Sequence, residues 1–404
     1  MKIAVYSENN YGCGASIAAF RLAKGLSKNN HNVFYIFEQN KAKYDMFKDT
    51  KFDTWHLGES KSKVKNLIFK SLNCISRISR TNINREFLFK LFYYKMKKFN
   101  PDIIHLHNCY FTHSQISTLS EQFPVVWTMH DQFALFLYNY KIIKYDKEEK
   151  IYSPLPDWRL KYYNPDILLN NKKSKIIFTP PSRWLADLSN QIVRNRKEIK
   201  VIHNGINTED FFPLETKKAK EILGIDKDKF TLLFLAGTGA WERKNSVVIF
   251  EALKLIPNLD IQVVAIGSVI KFKFNDKRVI KKGAIYSTKA LRDVYSSADV
   301  FCIPSVVDNL PNTVLESLLC DTPVLGSHTG GIPEMIEVGK TGWLFNPYSA
   351  EDLADKIVKL YNNYNKIQNM KSVCRNSVID KFSEKTMVKN YQNIYNQMIN
   401  GEQE

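Results

Sequence analysis

The sequence lacks the features that mark membrane-spanning, secreted and disordered proteins. No window approaches the roughly 18 uncharged apolar residues that a membrane-spanning helix needs. The first residues, Met1 to Ser7, lack the basic start, the apolar stretch and the small-residue cleavage site of a secretory signal. Low-complexity segments are absent as well. We therefore expect a globular protein that stays in the cytoplasm.

Paired cysteines are also missing. The six cysteines are scattered without metal-like or disulfide-like spacing, which fits a reducing compartment and ordinary buried thiols. One acid pair, in Asp226-Lys227-Asp228, resembles those that hold a divalent cation. It lies in a polar, charged loop, and we interpret it as surface. We expect neither a metal site nor a cofactor.

Acidic residues are few relative to basic ones, with 41 Asp and Glu against 58 Lys and Arg and a net charge of +17. The electrostatic field of such a positively charged protein attracts phosphates, nucleic acid or anionic lipid. Between Lys61 and Lys98, basic residues that include Arg85 alternate with large apolar ones and face the single acid Glu86. Two basic amphipathic helices here predict a surface that rests on an anionic membrane, although two core-packing helices in a lysine-rich protein explain the pattern too. No nucleic-acid readout motif is present, so nucleic acid is not an expected partner.

Apolar runs alternate with helix-period segments along the chain, which is the pattern of parallel sheets flanked by helices. We predict two doubly wound α/β domains, residues 1–203 and 204–385, with a helical tail (386–404) that packs back on the first. The predicted strands of the first domain are 3–6, 33–37, 103–106, 125–129 and 176–179. Those of the second are 232–235, 261–265, 300–303 and 323–325, with helices at 246–255, 288–297 and 313–319.

A glycine turn, Gly12-Cys13-Gly14-Ala15, separates the first strand from the helix that follows it. Such a turn exposes backbone N–H groups at a helix start, where an anion is favoured. It is not a GxGxxG motif, and no acid about 20 residues further on matches a ribose partner, so an NAD site is disfavoured. A tight turn that needs small residues explains the glycines equally well.

Arg243 and Lys244 lie where a helix beginning near Lys244 would present the positive end of its dipole. Cations there are disfavoured by roughly 0.3–1 kcal/mol. That cost predicts a compensating anion, such as a diphosphate bound between the lysine and the helix end. The alternative is a solvated surface lysine.

The segment Asp308 to Glu316 follows an apolar strand, and its helix should begin around Asn312. Open α/β sheets bind ligands at this end of their strands. The loop offers backbone N–H groups, and Asp308 can accept hydrogen bonds from sugar hydroxyls. We place Glu316 in the first helical turn, where its carboxylate can accept two hydrogen bonds from a ribose. Each of these charge-assisted hydrogen bonds contributes about 1.5–3 kcal/mol to binding. For Glu316 alone, favourable placement near the helix dipole is the alternative.

Taken together, these residues resemble glycosyltransferase family 4, and the resemblance covers most of the chain. The segments that carry it are Asp308-(seven residues)-Glu316, Cys320-Asp321-Thr322-Pro323-Val324, Gly330-Gly331-Ile332-Pro333-Glu334, Gly339-Lys340-Thr341-Gly342, the Gly12–Gly14 turn, Thr128-Met129-His130-Asp131, Val201-Ile202-His203-Asn204-Gly205-Ile206 and Arg243-Lys244. The resemblance implies a GT-B fold, in which two Rossmann-like domains face each other across a cleft. It also implies transfer, with retention, from a UDP-, GDP- or ADP-sugar.

The resemblance further implies a role for each matching residue. Lys244, His130 and Asp308 form the expected catalytic set, in which Lys244 holds the diphosphate and His130 faces the donor sugar and the acceptor. Further donor contacts are expected from Gly12, Gly14, Ala15, Arg243, Asn309, Leu310, Pro311, Asn312 and the ribose-binding Glu316. Two departures from the family pattern stand out. Asp308 takes the place of a glutamate, and Thr238 takes the place of an arginine.

Three histidines near the ends of predicted strands differ in what they indicate. His130 precedes Asp131 at a strand end, which favours a site role over a core role. His105 and His107 share one face of a strand, where packing or the fixing of a tautomer serves as well as substrate contact.

The expected acceptor is a hydroxyl of a glycan or of a lipid-linked acceptor, as in the assembly of a surface polysaccharide. The protein would then sit peripherally on the inner face of the membrane. Two other functions stay open at this point: a nucleotide-sugar epimerase of the same fold, and a non-catalytic binder of sugar nucleotides.

Overall fold

A computed structural model describes residues 1–9, 13–39, 50–57, 71, 74, 79, 82–136, 140–144, 148–152, 157–236, 241–267, 275–285 and 287–401. The chain divides into two compact units. Unit 1 comprises Met1–Lys141, Lys150–Gly205 and Glu384–Glu404, and unit 2 comprises Ile142–Glu149 and Ile206–Ser383.

Strands and helices alternate through both units. Up to residue 205 the elements are β1 (Lys2–Asn9), α1 (Gly14–Lys28), β2 (Asn32–Gln39), β3 (Asp53–His56), α2 (Ile83–Phe99), β4 (Ile103–His107), α3 (His113–Gln122), β5 (Val125–Thr128), α4 (Phe133–Phe136), β6 (Tyr140–Lys144), β7 (Glu148–Tyr152), α5 (Asp157–Leu160), α6 (Pro165–Leu169), β8 (Ile176–Thr179), α7 (Arg183–Val193) and β9 (Glu198–Ile199). After it they are α8 (Thr216–Leu223), β10 (Phe230–Ala236), α9 (Trp241–Lys244), α10 (Ser246–Leu255), β11 (Ile261–Gly267), β12 (Val279–Lys282), α11 (Thr288–Ser296), β13 (Val300–Ile303), α12 (Asn312–Leu319), β14 (Val324–Ser327), a 3-10 turn (Ile332–Met335), β15 (Gly342–Phe345), α13 (Ala350–Asn362), α14 (Tyr364–Phe382) and α15 (Glu384–Asn400).

The main sheet of unit 1 has seven strands in the order β3-β2-β1-β4-β5-β8-β9, and every pairing is parallel. Strands β6 and β7 form a separate two-stranded sheet. Because all strands of the main sheet run the same way, the residues that follow β1, β4 and β5 meet at its carboxyl edge. Ligands bind at this edge in open α/β sheets.

Side chains of β1 alternate between the two faces of this sheet. Ile3 and Val5 lie in a core with α1 and α15, whereas Ala4 and Tyr6 lie in a core with α2 and α3. Helix α15 comes so close to α1 that a Cβ at Gly25 would be 2.5 Å from Val388 Cγ2. The expectation that the C-terminal helix returns to the first domain is therefore confirmed.

Unit 2 repeats this architecture with six parallel strands in the order β12-β11-β10-β13-β14-β15. Its sheet is covered by one core on the side of α11, α12 and α14, and by another on the side of α10 and α13. Strands β10 and β13 are neighbours, so the segments that follow them come together. The predicted fold class, two doubly wound α/β units, is confirmed.

The basic region requires one correction. Most of the first predicted basic helix lies outside the described residues, and the second is α2. The sequence predicts Arg85 as one of the surface cations, but Arg85 is buried, and its Nη1 lies 2.7 Å from Glu38 Oε2. It is therefore an internal ion-pair partner because α2 packs this side onto the sheet. Helices in the described part of the chain are all too short or too polar to cross a membrane.

Candidate active site

Two cations and one carboxylate meet at the carboxyl edge of the unit 2 sheet. Lys244, the last residue of α9, places its Nζ 2.6 Å from Asp308 Oδ2, and Arg243 places Nη1 3.1 Å from Asp308 Oδ1. The Ser305 hydroxyl donates to Asp308 Oδ2 at 3.3 Å. We call Arg243, Lys244, Ser305 and Asp308 the carboxyl-edge cluster. The structure thus brings the adjacent Arg243 and Lys244 together with Asp308, a predicted site residue that lies 64 positions further along the chain.

Backbone hydrogen bonds hold this cluster in place. Val306 N donates to Arg243 O at 2.9 Å, which joins the segment after β10 to the segment after β13. Gly331 N donates to Asp308 O at 3.0 Å, and Gly330 has φ +57°. A Cβ at Gly330 would lie 2.0 Å from Asp308 O, so only glycine fits there. The Gly330-Gly331 turn is therefore packed directly against the backbone of the cluster.

Burial and charge pairing both shift the pKa values of Lys244 and Asp308 in the carboxyl-edge cluster. Burial lowers the pKa of Lys244, and the neighbouring Asp308 only partly restores it. Burial acts to raise the pKa of Asp308, but Lys244 and Arg243 together outweigh it and hold that pKa below its ordinary value. Two positive groups and one negative group leave a net charge of about +1 in a largely desolvated place, which favours an anionic ligand.

The cations at Arg243 and Lys244 already have a compensating anion within the protein. Lys244 ends the short α9, and α10 begins at Ser246 after Asn245, which has φ +47°. The anion that compensates the cations in this structure is the Asp308 carboxylate. The dipole cost alone therefore does not require a diphosphate, and the case for one depends on the remaining positive charge.

Glu316 lies on α12 and is 7% exposed. Because α12 begins at Asn312, Glu316 starts the second turn, and the prediction of a place in the first turn is wrong. Its Oε2 accepts a hydrogen bond from the Tyr295 hydroxyl at 3.0 Å. Tyr295 is not among the site residues that the sequence predicts. The available signal was a tyrosine on the buried face of α11, because a buried phenol requires a hydrogen-bond partner.

The loop between Asp308 and α12 is mostly buried. Asn309 and Leu310 are buried, Pro311 precedes the first residue of α12, and Asn312 begins the helix as expected. The loop therefore joins the carboxyl-edge cluster to the helix that carries Glu316.

In unit 1, three histidines contact one another, two from β4 (His105 and His107) and one that follows β5 (His130). His107 Nδ1 is 2.8 Å from His130 Nε2, and the rings of His105 and His107 stack at 4.3 Å. His105 bonds through Nε2 to Thr128 Oγ1 at 2.7 Å and through Nδ1 to the Tyr395 hydroxyl at 2.6 Å. The predicted common face of His105 and His107 is confirmed, and His105 links the strand to α15.

Burial holds the histidines in their neutral form. It lowers the pKa of His130 to about 3, and it lowers the pKa values of His105 and His107 well below 6.5, with further lowering from the neighbouring histidines. A neutral imidazole has one donor and one acceptor nitrogen. At neutral pH, His130 can therefore take part in hydrogen bonds but brings no positive charge.

The remaining predicted positions are distributed as follows. Gly14 and Ala15 begin α1, and Cys13 precedes it, whereas Gly12 and Thr238 lie outside the described residues. Asp226 and Asp228 are exposed, and Asp228 pairs with Lys217 at 3.0 Å, so the surface interpretation of that acid pair is confirmed.

Comparison with known families covers nearly the whole chain. The family described as Glycosyltransferase Family 4 matches residues 13–210, and the family described as Glycosyl transferases group 1 matches residues 215–376. The N-acetyl-alpha-D-glucosaminyl L-malate synthase of Bacillus anthracis is 24% identical over 49% of this chain and 53% of its own. The UDP-Gal:alpha-D-GlcNAc-diphosphoundecaprenol alpha-1,3-galactosyltransferase of Escherichia coli is 24% identical over 50% of this chain and 55% of its own. The chain thus spans about half the length of these curated relatives.

Solved structures share the fold along the full length. The sucrose-phosphate synthase of Thermosynechococcus elongatus superposes with a TM-score of 0.75 at 18% identity, covering 99% of this chain and 100% of the other. Anabaena HepE in complex with UDP-glucose gives a TM-score of 0.68 at 14% identity, covering 98% and 100%. At these identities the likeness extends to the fold alone.

Proposed function

This chain belongs to glycosyltransferase family 4, and we propose that it transfers a sugar from a nucleoside diphosphate sugar to a hydroxyl of a glycan or lipid-linked acceptor. The observation that carries the proposal is the carboxyl-edge cluster, where Lys244 and Arg243 flank Asp308 with a net positive charge. Such a group lies at the edge where open α/β sheets bind nucleotides.

Lys244 and Arg243 are the proposed diphosphate ligands. Negative charge develops on the leaving diphosphate as the glycosidic bond breaks, and a preorganised cation stabilises that charge without a proton transfer. Because Lys244 is 22% exposed on its side chain, it can meet a ligand without first leaving the protein interior. We assign no metal ion to this mechanism. Turnover that is lost in EDTA and restored by Mg²⁺ would contradict this part of the proposal.

Glu316 is the proposed ribose ligand, and Asp308 with the loop of residues 309–312 is proposed to hold the donor sugar. A carboxylate accepts hydrogen bonds from two adjacent hydroxyls, and a buried one does so with higher discrimination because unpaired groups there are costly. UDP and UDP-glucose are bound by HepE, which has the same fold, and this supports a nucleotide sugar as donor.

Retention at the anomeric carbon is proposed to follow from a same-face displacement. The acceptor oxygen bonds to the anomeric carbon as the bond to the diphosphate breaks, and the departing phosphate oxygen takes the acceptor proton. Neutral His130 would contribute hydrogen bonds rather than charge to the sugar or acceptor. NMR of the product decides the stereochemistry: an α-linked donor should give an α-linked product, and a β-linked product would overturn the assignment.

The names of several relatives support a lipid-linked or surface glycan as acceptor. The Escherichia coli relative acts on a diphosphoundecaprenol-linked sugar, and a Klebsiella pneumoniae relative lies in a cps region. We therefore propose that the chain works in the cytoplasm, peripherally at the membrane, in the synthesis of a surface polysaccharide.

Helix α2 is the proposed membrane-facing element. Its exposed side has large apolar side chains beside lysines, and Lys98 Nζ lies 4.9 Å from the centre of the Tyr94 ring. We define the α2 face as Ile83, Lys90, Leu91, Tyr94, Lys97 and Lys98. Lysines attract anionic headgroups, while an exposed Tyr and Leu enter the interface.

Vesicle sedimentation tests the α2 face. The chain should sediment with phosphatidylglycerol vesicles at low salt and not with phosphatidylcholine vesicles. Changing Lys90, Lys97 and Lys98 together to Glu should abolish sedimentation. The matched control changes the exposed Lys161, Lys172 and Lys173 of unit 1 to Glu. This control variant should still sediment largely with phosphatidylglycerol vesicles. Absence of wild-type binding at low salt would overturn the membrane proposal.

A panel of UDP-, GDP- and ADP-sugars tests the activity itself. Release of nucleoside diphosphate that increases with added acceptor supports transfer. Conversion to an epimer without release would instead support the epimerase, and tight binding without turnover would support a non-catalytic binder.

A further inference from the structure

Tyr295 forms a buried pair with Glu316, the proposed ribose ligand, and Tyr295 itself has no role in the function proposed above. The Tyr295 hydroxyl donates to Glu316 Oε2 at 3.0 Å, joining α11 to α12. We propose that Tyr295 is a positioning residue that holds the Glu316 carboxylate in the orientation that accepts the ribose hydroxyls. This inference rests on the proposed function, because it requires a nucleotide at Glu316.

The aromatic ring of Tyr295 is firmly placed. It is fully buried, and it packs edge-on against Phe301, with ring centres 5.5 Å apart and planes at 89°. Phe211 lies on another side at 6.3 Å. The backbone carbonyl of Tyr295 accepts a hydrogen bond from Thr322 Oγ1 at 2.7 Å. The backbone of Tyr295 is therefore fixed by a hydrogen bond and its ring by aromatic packing. These core contacts together determine where the hydroxyl lies.

The position of Glu316 on its helix bears on how its carboxylate is oriented. Glu316 begins the second turn of α12, past the first-turn N–H groups that often bind a carboxylate. A glutamate has three rotatable bonds, so a free carboxylate samples several orientations. A hydroxyl fixed on one oxygen removes that freedom and leaves the group preorganised for a cis-diol. The cost of ordering is then met during folding rather than during nucleotide binding.

The readout is the affinity ratio between a ribose nucleotide and its 2′,3′-dideoxy analogue. The probe is whichever of UDP, GDP and ADP the wild-type chain binds most tightly, measured by isothermal titration calorimetry. Wild type should prefer the ribose form by about 10- to 100-fold, as hydrogen bonds to a charged group allow. Tyr295→Phe should lower this ratio about three- to tenfold.

Steady-state kinetics give a second readout. The Tyr295→Phe variant should have a higher donor KM with little change in kcat, because the ribose contact is the same in the ground and transition states.

Tyr364→Phe is the matched control. The Tyr364 hydroxyl donates to another carboxylate of unit 2, Asp299 Oδ1, at 3.0 Å. Removal of the Tyr364 hydroxyl should lower the unfolding temperature of the protein. It should leave the affinity ratio between the ribose nucleotide and its dideoxy analogue at the wild-type value. A general loss of stability would move both variants alike, so the ratio separates positioning from structural support.

Each outcome decides a different point. A Tyr295→Phe variant that keeps the wild-type ratio overturns the positioning role and leaves the proposed function standing. A wild-type chain that does not distinguish the two nucleotides overturns the ribose role of Glu316 as well. Should Tyr295→Phe fail to fold, the double variant Tyr295→Phe/Glu316→Gln is measured. Recovery of folding supports the proposal because it shows that the Tyr295 hydroxyl holds the Glu316 charge, and continued failure to fold overturns it.

Discussion

Two lysine–aspartate pairs stand at opposite ends of the neighbouring strands β10 and β13. At the amino end, Lys220 Nζ lies 2.9 Å from Asp299 Oδ2, with side-chain exposures of 3% and 0%. At the carboxyl end, Lys244 Nζ lies 2.6 Å from Asp308 Oδ2, with exposures of 22% and 11%. We call them the amino-end pair and the carboxyl-end pair. The chemical groups are the same, so their surroundings decide what each pair can do.

The amino-end pair is bonded on all sides by the protein itself. Asp299 accepts from Thr231 N at 2.8 Å and from the Tyr364 hydroxyl at 3.0 Å, and Lys220 donates to Lys229 O at 2.7 Å. The carboxyl-end pair instead shares its aspartate with Arg243 and is partly open to solvent. The first arrangement stabilises the fold, and the second leaves positive charge for a ligand. We therefore expect the buried, fully paired amino-end pair to serve the fold, and we expect the more open carboxyl-end pair to be available to a ligand.

The largest expected effect is on stability at the amino end. Lys220→Ala leaves Asp299 buried without its countercharge and should reduce the free energy of unfolding by about 3–5 kcal/mol. The urea-unfolding midpoint measures this loss. Lys217→Ala, on the same helix and also paired with an aspartate but exposed, is the control and should change the midpoint little. Equal effects of the two changes would contradict the structural role of the amino-end pair.

At the carboxyl end, the large effect is on turnover instead. Lys244→Ala should reduce kcat by about 100- to 1000-fold, because one group that stabilises the leaving diphosphate is lost. The urea midpoint should stay close to that of wild type, since Arg243 still pairs with Asp308. Near-normal turnover in this variant would remove Lys244 from the mechanism.

The pH dependence of activity should reveal that Lys244 has a lower pKa than a solvent-exposed lysine. The proposed phosphate contact needs a charged Lys244, and burial lowers the pKa of Lys244 below 10.5. Activity should therefore fall on the alkaline side at a lower pH than an unperturbed lysine would cause. The profile of kcat/KM against pH measures this limb in the free enzyme. In Lys244→Arg the limb should move to higher pH, because a guanidinium keeps its proton. A limb that stays in place would assign it to another group.

The smallest expected effect tests Asp308 as the internal countercharge. Asp308→Asn should strengthen the binding of free UDP by up to about fivefold, since the negative charge that Asp308 places beside the two cations is then removed. Calorimetry with UDP, which has no sugar, separates this effect from any contact of Asp308 with a donor sugar. Asp276→Asn breaks a 2.7 Å pair with Arg278 elsewhere in unit 2 and should leave UDP binding unchanged. Weaker UDP binding in Asp308→Asn would show that Asp308 does not oppose the phosphate.

Much of the fold could be predicted because its elements depend on local patterns. The strands at 176–179 and 300–303 and the helix at 246–255 have the predicted bounds, and the other predicted elements differ mainly at their ends. Ends are hard to predict because they depend on neighbours in space, as for β5, which was expected to reach residue 129 and ends at Thr128. The assignment of domain roles and of individual site residues stays a prediction.

Periodicity and strand–turn–helix order in the sequence determined the α/β class, because apolar residues at those spacings can be buried only by sheets covered with helices. The sequence also marked Lys244, Asp308 and Glu316 as candidates. Only the tertiary structure decided that Asp308 pairs with both cations, that Arg85 is buried against Glu38, and that Tyr295 reaches Glu316. Each of these contacts joins residues from different elements, and the distance between such side chains depends on packing that no local pattern specifies.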